Sequence, residues 1–292
     1  MKYLLTVLLS LMCAYSDAQE RTITGKVVDN EMKGIPFCLV KAKDRNAGTY
    51  CDENGVFSLT INTDTVKSLM FACMGYERKE LAVDNMPKES ITVDLRKATL
   101  VLSPVVITDK KGKARSGILG RKAVKHTGDC YQRYGDEDAV FLKADSAKTG
   151  VLKEVYVYVT DEGIPNSKFR IHVYAKDPVT NLPAEELTDS NLIVNAKRGN
   201  EWVKADLSNK NIGVGKGVYI SVEWISGFGN SGKALQSSKN PEVSGHYGQV
   251  MGLTLNYGVQ HMYHRNTFNG TWGFSYADYL CPMIYGTYVY KN

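Results

Sequence analysis

The stretch Asp52-Glu53-Asn54-Gly55-Val56-Phe57-Ser58-Leu59-Thr60-Ile61 decides how the first third of the chain folds. Its last six residues alternate: Phe57, Leu59 and Ile61 fall on one face of a strand, Ser58 and Thr60 on the other, because successive strand side chains point to opposite sides of the sheet. One face is apolar and the other polar, the signature of a half-buried strand. The four residues ahead of it form a turn in which Gly55 can take positive φ at little cost. No window of about 11–18 residues between positions 21 and 96 carries a helical stripe.

Outward from that strand, Thr22–Val28, Ile35–Ala42, Ser68–Cys73 and Ser90–Leu95 have the same β-favouring or alternating character. If Asn46-Ala47 centres a hairpin, Cys51 faces Ala42 and Cys38 faces Gly55, a register that disfavours a Cys38–Cys51 bridge. Cys38, Cys51, Cys73, Cys130 and Cys281 show no CxxC and no regular spacing, so they are expected to be free, buried, small apolar residues.

Thr24-Gly25-Lys26-Val27-Val28-Asp29, Gly34-Ile35-Pro36-Phe37 with Val40, Thr49 through Asp52-Glu53-Asn54-Gly55-Val56-Phe57-Ser58-Leu59, and Leu69-Met70-Phe71 with Gly75-Tyr76 resemble, in family order, a carboxypeptidase-regulatory-like domain. The resemblance implies a transthyretin-like β-sandwich over residues 19–109. Leu102-Ser103-Pro104-Val105-Val106-Ile107-Thr108 looks like the strand that closes this domain in TonB-dependent receptors of glycan-uptake systems. Those receptors continue into a plug and a large barrel, for which too few residues follow here, so the transport role does not carry over.

Residues 126–292 return to strands, expected near 138–144, 151–160, 168–175, 191–197, 201–206, 217–225, 248–257 and 281–290. Phe169, Ile171 and Val173 alternate with Arg170, His172 and Tyr174; Val218, Ile220, Val222 and Trp224 alternate with Tyr219, Ser221 and Glu223. Strands of this kind, separated by Asn-, Gly- and Pro-rich loops, fit a jelly-roll-like sandwich. The fold class is therefore all-β, and the order of these segments resembles the C-terminal sandwich that follows such regulatory-like domains in some bacterial exported proteins.

Met1-Lys2, the apolar run Tyr3–Ala14 and the small residues of Ser16-Asp17-Ala18 read as a secretory leader cut before Gln19. Cys13 follows Met12, too large for lipoprotein processing. The composition, 43% hydrophobic and 23% charged, supports true cores. The net charge of +5 is local: residues 110–125 hold seven basic and no acidic side chains, while 19–109 hold 12 basic and 13 acidic. A basic linker between two near-neutral domains is the expectation, and nucleic acid is not an expected partner.

The search for chemistry returns mainly absences. No His has Glu three residues later, and no Gly-x-Ser-x-Gly or Walker loop occurs. Gly227-Phe228-Gly229-Asn230-Ser231-Gly232 matches GxGxxG but is followed by a Ser/Asn-rich, proline-broken stretch instead of a helix. His246, His261 and His264 lack an evident acidic or Cys partner, and Glu223 lacks a second carboxylate, which makes it a structural group. No enzyme, metal or cofactor is expected. Tyr247, Tyr257, Trp272 and Tyr276 are candidate sugar-stacking residues, with core packing as the competing role. The expected function is binding or assembly in the bacterial cell envelope, in the periplasm or at the outer membrane or surface, with an envelope protein or glycan as partner. A carbohydrate-binding module and an unrecognised hydrolase are the alternatives.

Overall fold

The computed structural model describes residues 20–43, 45–98, 113–123, 125–144, 150–164, 166–225, 248–255, 261–275 and 279–291. The leader, the Leu102–Thr108 segment and the GxGxxG loop lie outside them. Among the described residues no helix is long and apolar enough to cross a membrane.

The first domain contains β1 (Glu20–Val28), β2 (Leu39–Ala42), β3 (Gly48–Tyr50), β4 (Val56–Asn62), β5 (Ser68–Ala72), β6 (Lys79–Ala82) and β7 (Ser90–Asp94). They form a three-stranded sheet ordered β4-β1-β7 and a four-stranded sheet ordered β3-β2-β5-β6. The alternation in β4 sends Phe57, Leu59 and Ile61 inward, where they meet Val40, Leu69 and Phe71 of the other sheet. Gly55 has φ +81°, and a Cβ there would approach Val27 O to 2.5 Å, so the turn before β4 needs glycine.

The β2–β3 hairpin differs from the sequence expectation. Leu39 pairs with Tyr50 and Lys41 with Gly48, and Ala42 N donates to Ala47 O at 2.8 Å. The turn is therefore centred two residues earlier, and Cys38 opposes Cys51 directly. Asn-Ala lacks the glycine that a two-residue type I′ turn favours, so a longer connection closes the hairpin. All five described cysteines are free and buried.

The second domain runs through β8 (Ala114–Gly120), β9 (Gly128–Cys130), β10 (Asp136–Lys143), β11 (Val151–Val159), β12 (Phe169–Lys176), β13 (Pro183–Glu186), β14 (Leu192–Val194), β15 (Glu201–Asp206), β16 (Gly217–Trp224), β17 (Met251–Leu255), β18 (Met262–Asn266), β19 (Gly273–Phe274), β20 (Leu280–Pro282) and β21 (Ile284–Lys291). One sheet is ordered β13-β12-β16-β10-β18-β19 and the other β20-β17-β11-β21-β8. Val140, Ile171, Ile220 and Trp224 from the first share a core with Leu152, Val157, Val203 and Ile284 from the second. This is a sandwich, and the described residues are nearly all β.

β8 corrects the linker expectation for 110–125. It pairs antiparallel with β21 from Tyr285↔Gly120 to Lys291↔Ala114, and Leu119 is fully buried in the second core. An edge strand can keep its charged side chains in solvent, so a basic stretch and a strand are compatible.

Candidate functional site

Alternation along four neighbouring strands builds a row of charges. In β12 the residues Phe169, Ile171 and Val173 point into the second core, which turns Arg170, His172 and Tyr174 to the opposite face. Register then places Arg170 beside Glu223, Glu223 beside Glu137 and Glu137 beside Arg265. The sequence Arg-Glu-Glu-Arg thus crosses β12, β16, β10 and β18. Such a face is ordinarily wet, yet Arg170, His172, Glu137 and Glu223 are buried: Phe37 and Tyr50 of the first domain meet Arg170 and Glu223, and Tyr174, Ser221 and Arg265 of the second engage Glu137.

The cover is specific. Phe37 and Tyr50 of the first domain pack with Ile225 and Phe268 of the second, flanked by Leu39, Tyr134 and Ile193. Tyr50 Oη donates to Glu223 Oε1 at 2.6 Å and lies 2.7 Å from Thr267 Oγ1. Arg170 donates to Glu223 Oε2 at 2.6 Å and to Phe37 O at 2.5 Å. Phe37 takes a left-handed φ of +56°, a conformation uncommon for a bulky residue.

His172 sits between carboxylates, with Nδ1 at 2.7 Å from Glu186 Oε2 and Nε2 at 3.1 Å from Glu223 Oε2. Burial alone would lower its pKa, but the charges of Glu137 and Glu186 and its hydrogen bonds to Glu186 and Glu223 push it up to about 10. It is an imidazolium at neutral pH, donating from both nitrogens. Burial works to raise the Glu223 pKa, but Arg170, then His172 and Tyr50, hold it well below the usual carboxylate range. Glu137 receives Arg265 Nε at 2.7 Å, Tyr174 Oη at 2.9 Å and Ser221 Oγ at 2.5 Å. Glu137, Glu186 and Glu223 are thus matched by Arg170, His172 and Arg265.

This corrects the expectation that Glu223 has no carboxylate neighbour: Glu137 is its cross-strand partner. Facing ligand atoms of Glu137, His172 and Glu223 lie within 4.8 Å of one another. The donor set does not suit a cation, because both carboxylates already face guanidinium groups and the imidazole is protonated. It does not suit acid–base catalysis either. Glu223 is occupied by three donors, one of them the hydroxyl of the fully buried Tyr50. The arrangement is a charge-matched network of the second domain onto which the first docks through the Tyr50 hydroxyl and the Phe37 carbonyl.

A second polar group lies at the edge of this junction. His264 Nδ1 is 3.0 Å from Asp138 Oδ1, and its Nε2 is 3.7 Å from Asp136 Oδ1. The hydrogen bond to Asp138 raises the His264 pKa. The expectation that His264 lacks acidic partners is therefore overturned, since the β10–β18 register sets Asp138 opposite it. His261 is exposed and packs against Phe274 at 5.1 Å between ring centres; His246 lies outside the described residues. Asp136 and His264 open onto a polar cleft of about 680 Å³ between the domains, which Asn46, Thr60, Arg133 and Asn266 also line.

Of the candidate sugar-stacking residues, Tyr247, Tyr257 and Tyr276 lie outside the described residues. Trp272 carries the Arg265 guanidinium 4.2 Å above its ring and meets Tyr174 edge-on at 6.0 Å. That ring caps the end of the charged row. The residues that build the junction, Tyr50, Glu137, Arg170, His172 and Arg265, were not singled out by their sequence. Arg170 and His172 occupy positions that read as the wet side of a strand, while Tyr50, Glu137 and Arg265 fall outside the strands read from the sequence. The only signal was their character: Arg and His in β12, at positions where a solvent-facing strand would carry any polar residue.

No curated protein matches the chain. Among solved structures it is similar to a streptococcal ancillary pilin, at 10% identity over 65% of this chain and 51% of that one, with a TM-score of 0.21. It is also similar to the major pilin subunit of Bacillus cereus, at 11% identity over 88% of this chain and 67% of that one, with a TM-score of 0.19. The aligned region spans about half the length of the streptococcal pilin, and at these TM-scores neither likeness carries an assignment. A family model does match: residues 23–107 fit the CarboxypepD_reg-like domain, a non-catalytic domain type. The first sandwich of this chain is a CarboxypepD_reg-like domain.

Proposed function

We propose that the protein is a non-catalytic, exported binding or assembly protein of the bacterial cell envelope. The observation that carries this reading is the state of the Glu137–Glu223 pair: charge-matched, hydrogen-bonded and, at Glu223, capped by Tyr50. Among the described residues, this cluster of the second domain is capped by Tyr50 and Phe37 of the first, and its carboxylates are already engaged by charged or hydroxyl donors. Export draws on the layout of Met1–Ala18.

Expression of the full chain in a bacterial host, followed by fractionation and N-terminal sequencing, tests export. The expected product is an envelope fraction beginning at Gln19; an unprocessed chain confined to the cytoplasm would contradict it. A panel of glycoside, ester and peptide substrates should show no turnover. Turnover abolished by Glu137→Gln in a protein that still folds would establish the hydrolase alternative.

Glycan binding is the second reading, and the polar cleft favours it over the C-terminal aromatic residues as the site. Arg133 is exposed there. Arg133→Ala should weaken any glycan found on an array by about tenfold, the effect of losing one or two hydrogen bonds of about 1 kcal/mol each.

A further inference from the structure

The corrected hairpin register has a chemical consequence in the first domain. Leu39 pairs with Tyr50 on one side and with Ala72 on the other. One step further along both ladders, Cys38 has Cys51 opposite it on one side and Cys73 on the other. All three thiols belong to the buried core of the first sandwich. Cys51 and Cys73 flank the β2 line from either side, roughly two strand spacings or about 9.5 Å apart. The three sulfurs therefore do not converge as a metal site would require; they form two cross-strand pairs sharing Cys38.

The pairs differ in kind. Cys51 N donates to Cys38 O at 2.8 Å, so Cys38 and Cys51 occupy a hydrogen-bonded position, where Cα atoms are about 5.5 Å apart. On the other side, Lys43 N donates to Ser68 O at 3.0 Å. Counting along β2 in twos from that bond makes 41/70 and 39/72 the hydrogen-bonded positions, so Cys38 and Cys73 form a non-hydrogen-bonded pair. There the Cα atoms are about 4.5 Å apart and the side chains are closer, inside the range a disulfide spans.

We propose that Cys38 and Cys73 form a dithiol–disulfide couple, a redox site in the first domain, with Cys51 as a bystander. Cys73 is the attacking sulfur. It is the outermost of the three at 9% exposure, whereas Cys38 and Cys51 are fully buried. Its Sγ receives Asn191 Nδ2 of the second domain at 3.6 Å. The hydrogen bond from Cys38 and the charge of Arg170 outweigh burial and lower its pKa to about 7, while burial pushes the Cys38 thiol up. Cys73, the outer and more acidic thiol, is thus the readier nucleophile, and Cys38 the protonated resolving thiol.

The oxidant is a disulfide, either a small-molecule disulfide such as oxidised glutathione or a protein dithiol oxidase. The Cys73 thiolate attacks one oxidant sulfur, forming a mixed disulfide and expelling a thiolate that takes up a proton. Cys38 then loses its proton and attacks the Cys73 sulfur, expelling the second thiolate. Two protein thiols become one disulfide, and one oxidant disulfide becomes two thiols. An oxidising compartment, as export would supply, favours the closed form. The couple lies under the domain junction, because Pro36 O accepts from Asn191 at 3.2 Å and Phe37 O accepts from Arg170 at 2.5 Å.

The test treats the folded, reduced full chain with excess oxidised glutathione, then alkylates it under denaturing conditions and maps its peptides. Reactive thiols among the five cysteines of the two domains should fall by two. A Cys38–Cys73 peptide should appear, and dithiothreitol should reverse it. Cys51→Ala should leave this unchanged; Cys73→Ala should abolish the loss. A Cys38–Cys51 peptide, a glutathione adduct persisting on Cys73, or five thiols still reactive after treatment would each overturn the proposal.

Discussion

At the scale of the residue, His172 and Glu223 make opposite demands on pH. The His172 pKa is raised in the folded protein to about 10, against about 6.5 unfolded. Its stabilising contribution is present in full below the unfolded value and is lost as pH rises through the folded one. The Glu223 pKa is depressed, so its contribution is present above about 4.3, the unfolded value, and is lost as pH falls. Urea midpoints should therefore be highest between about pH 5 and 7 and fall towards pH 10. His172→Gln should flatten the alkaline fall while lowering stability overall. Glu223→Ala leaves Arg170 and His172 charged in a dry site, and unfolding in urea should show a cost of about 3–5 kcal/mol. Little of this was legible in the sequence. Arg170, His172 and Glu223 stood on the polar side of their alternating strands, and only the fold shows that side to be dry.

At the scale of the element, β8 separates composition from structure. Seven basic residues in 110–125 read as a solvated connection, yet Leu119 in their midst is fully buried. Leu119→Ala should cost about 2–5 kcal/mol in chemical denaturation, as for a core leucine; a linker residue would change stability by no more than about 0.5 kcal/mol. The long alternating strands were legible because their signal is local: β4, β11, β12 and β16 fall within a few residues of their expected limits. The short ones, β3, β9, β13 and β19, span two to four residues and hold too few alternations to stand out. Hairpin register was misread for a related reason, since strand pattern fixes which residues share a face but turn length fixes which residues are opposite.

At the scale of the molecule, the junction couples the two sandwiches. Tyr50 anchors it with an apolar ring among Phe37, Ile225 and Phe268 and a hydroxyl on a carboxylate. Scanning calorimetry of the intact chain should show one cooperative transition. Tyr50→Phe keeps the ring and removes the hydroxyl, leaving Glu223 short of a donor at a cost of about 1–3 kcal/mol. It should separate the transition into two, and two resolved transitions in the unaltered protein would contradict the coupling.

The sequence by itself determined the all-β class, the regulatory-like first domain and most long strands. Each is written in local periodicity or in an ordered set of motifs, which no distant contact needs to supply. Only the tertiary structure decided that the Arg-Glu-Glu-Arg row is buried, that Glu137 stands beside Glu223, and that Cys38 faces two other thiols. Tyr50 and Glu223 are 173 residues apart in the chain. Their contact depends on strand order, on register and on one domain closing over the sheet of another. A one-dimensional pattern shows which face of a strand is polar; what covers that face is a property of the assembled fold.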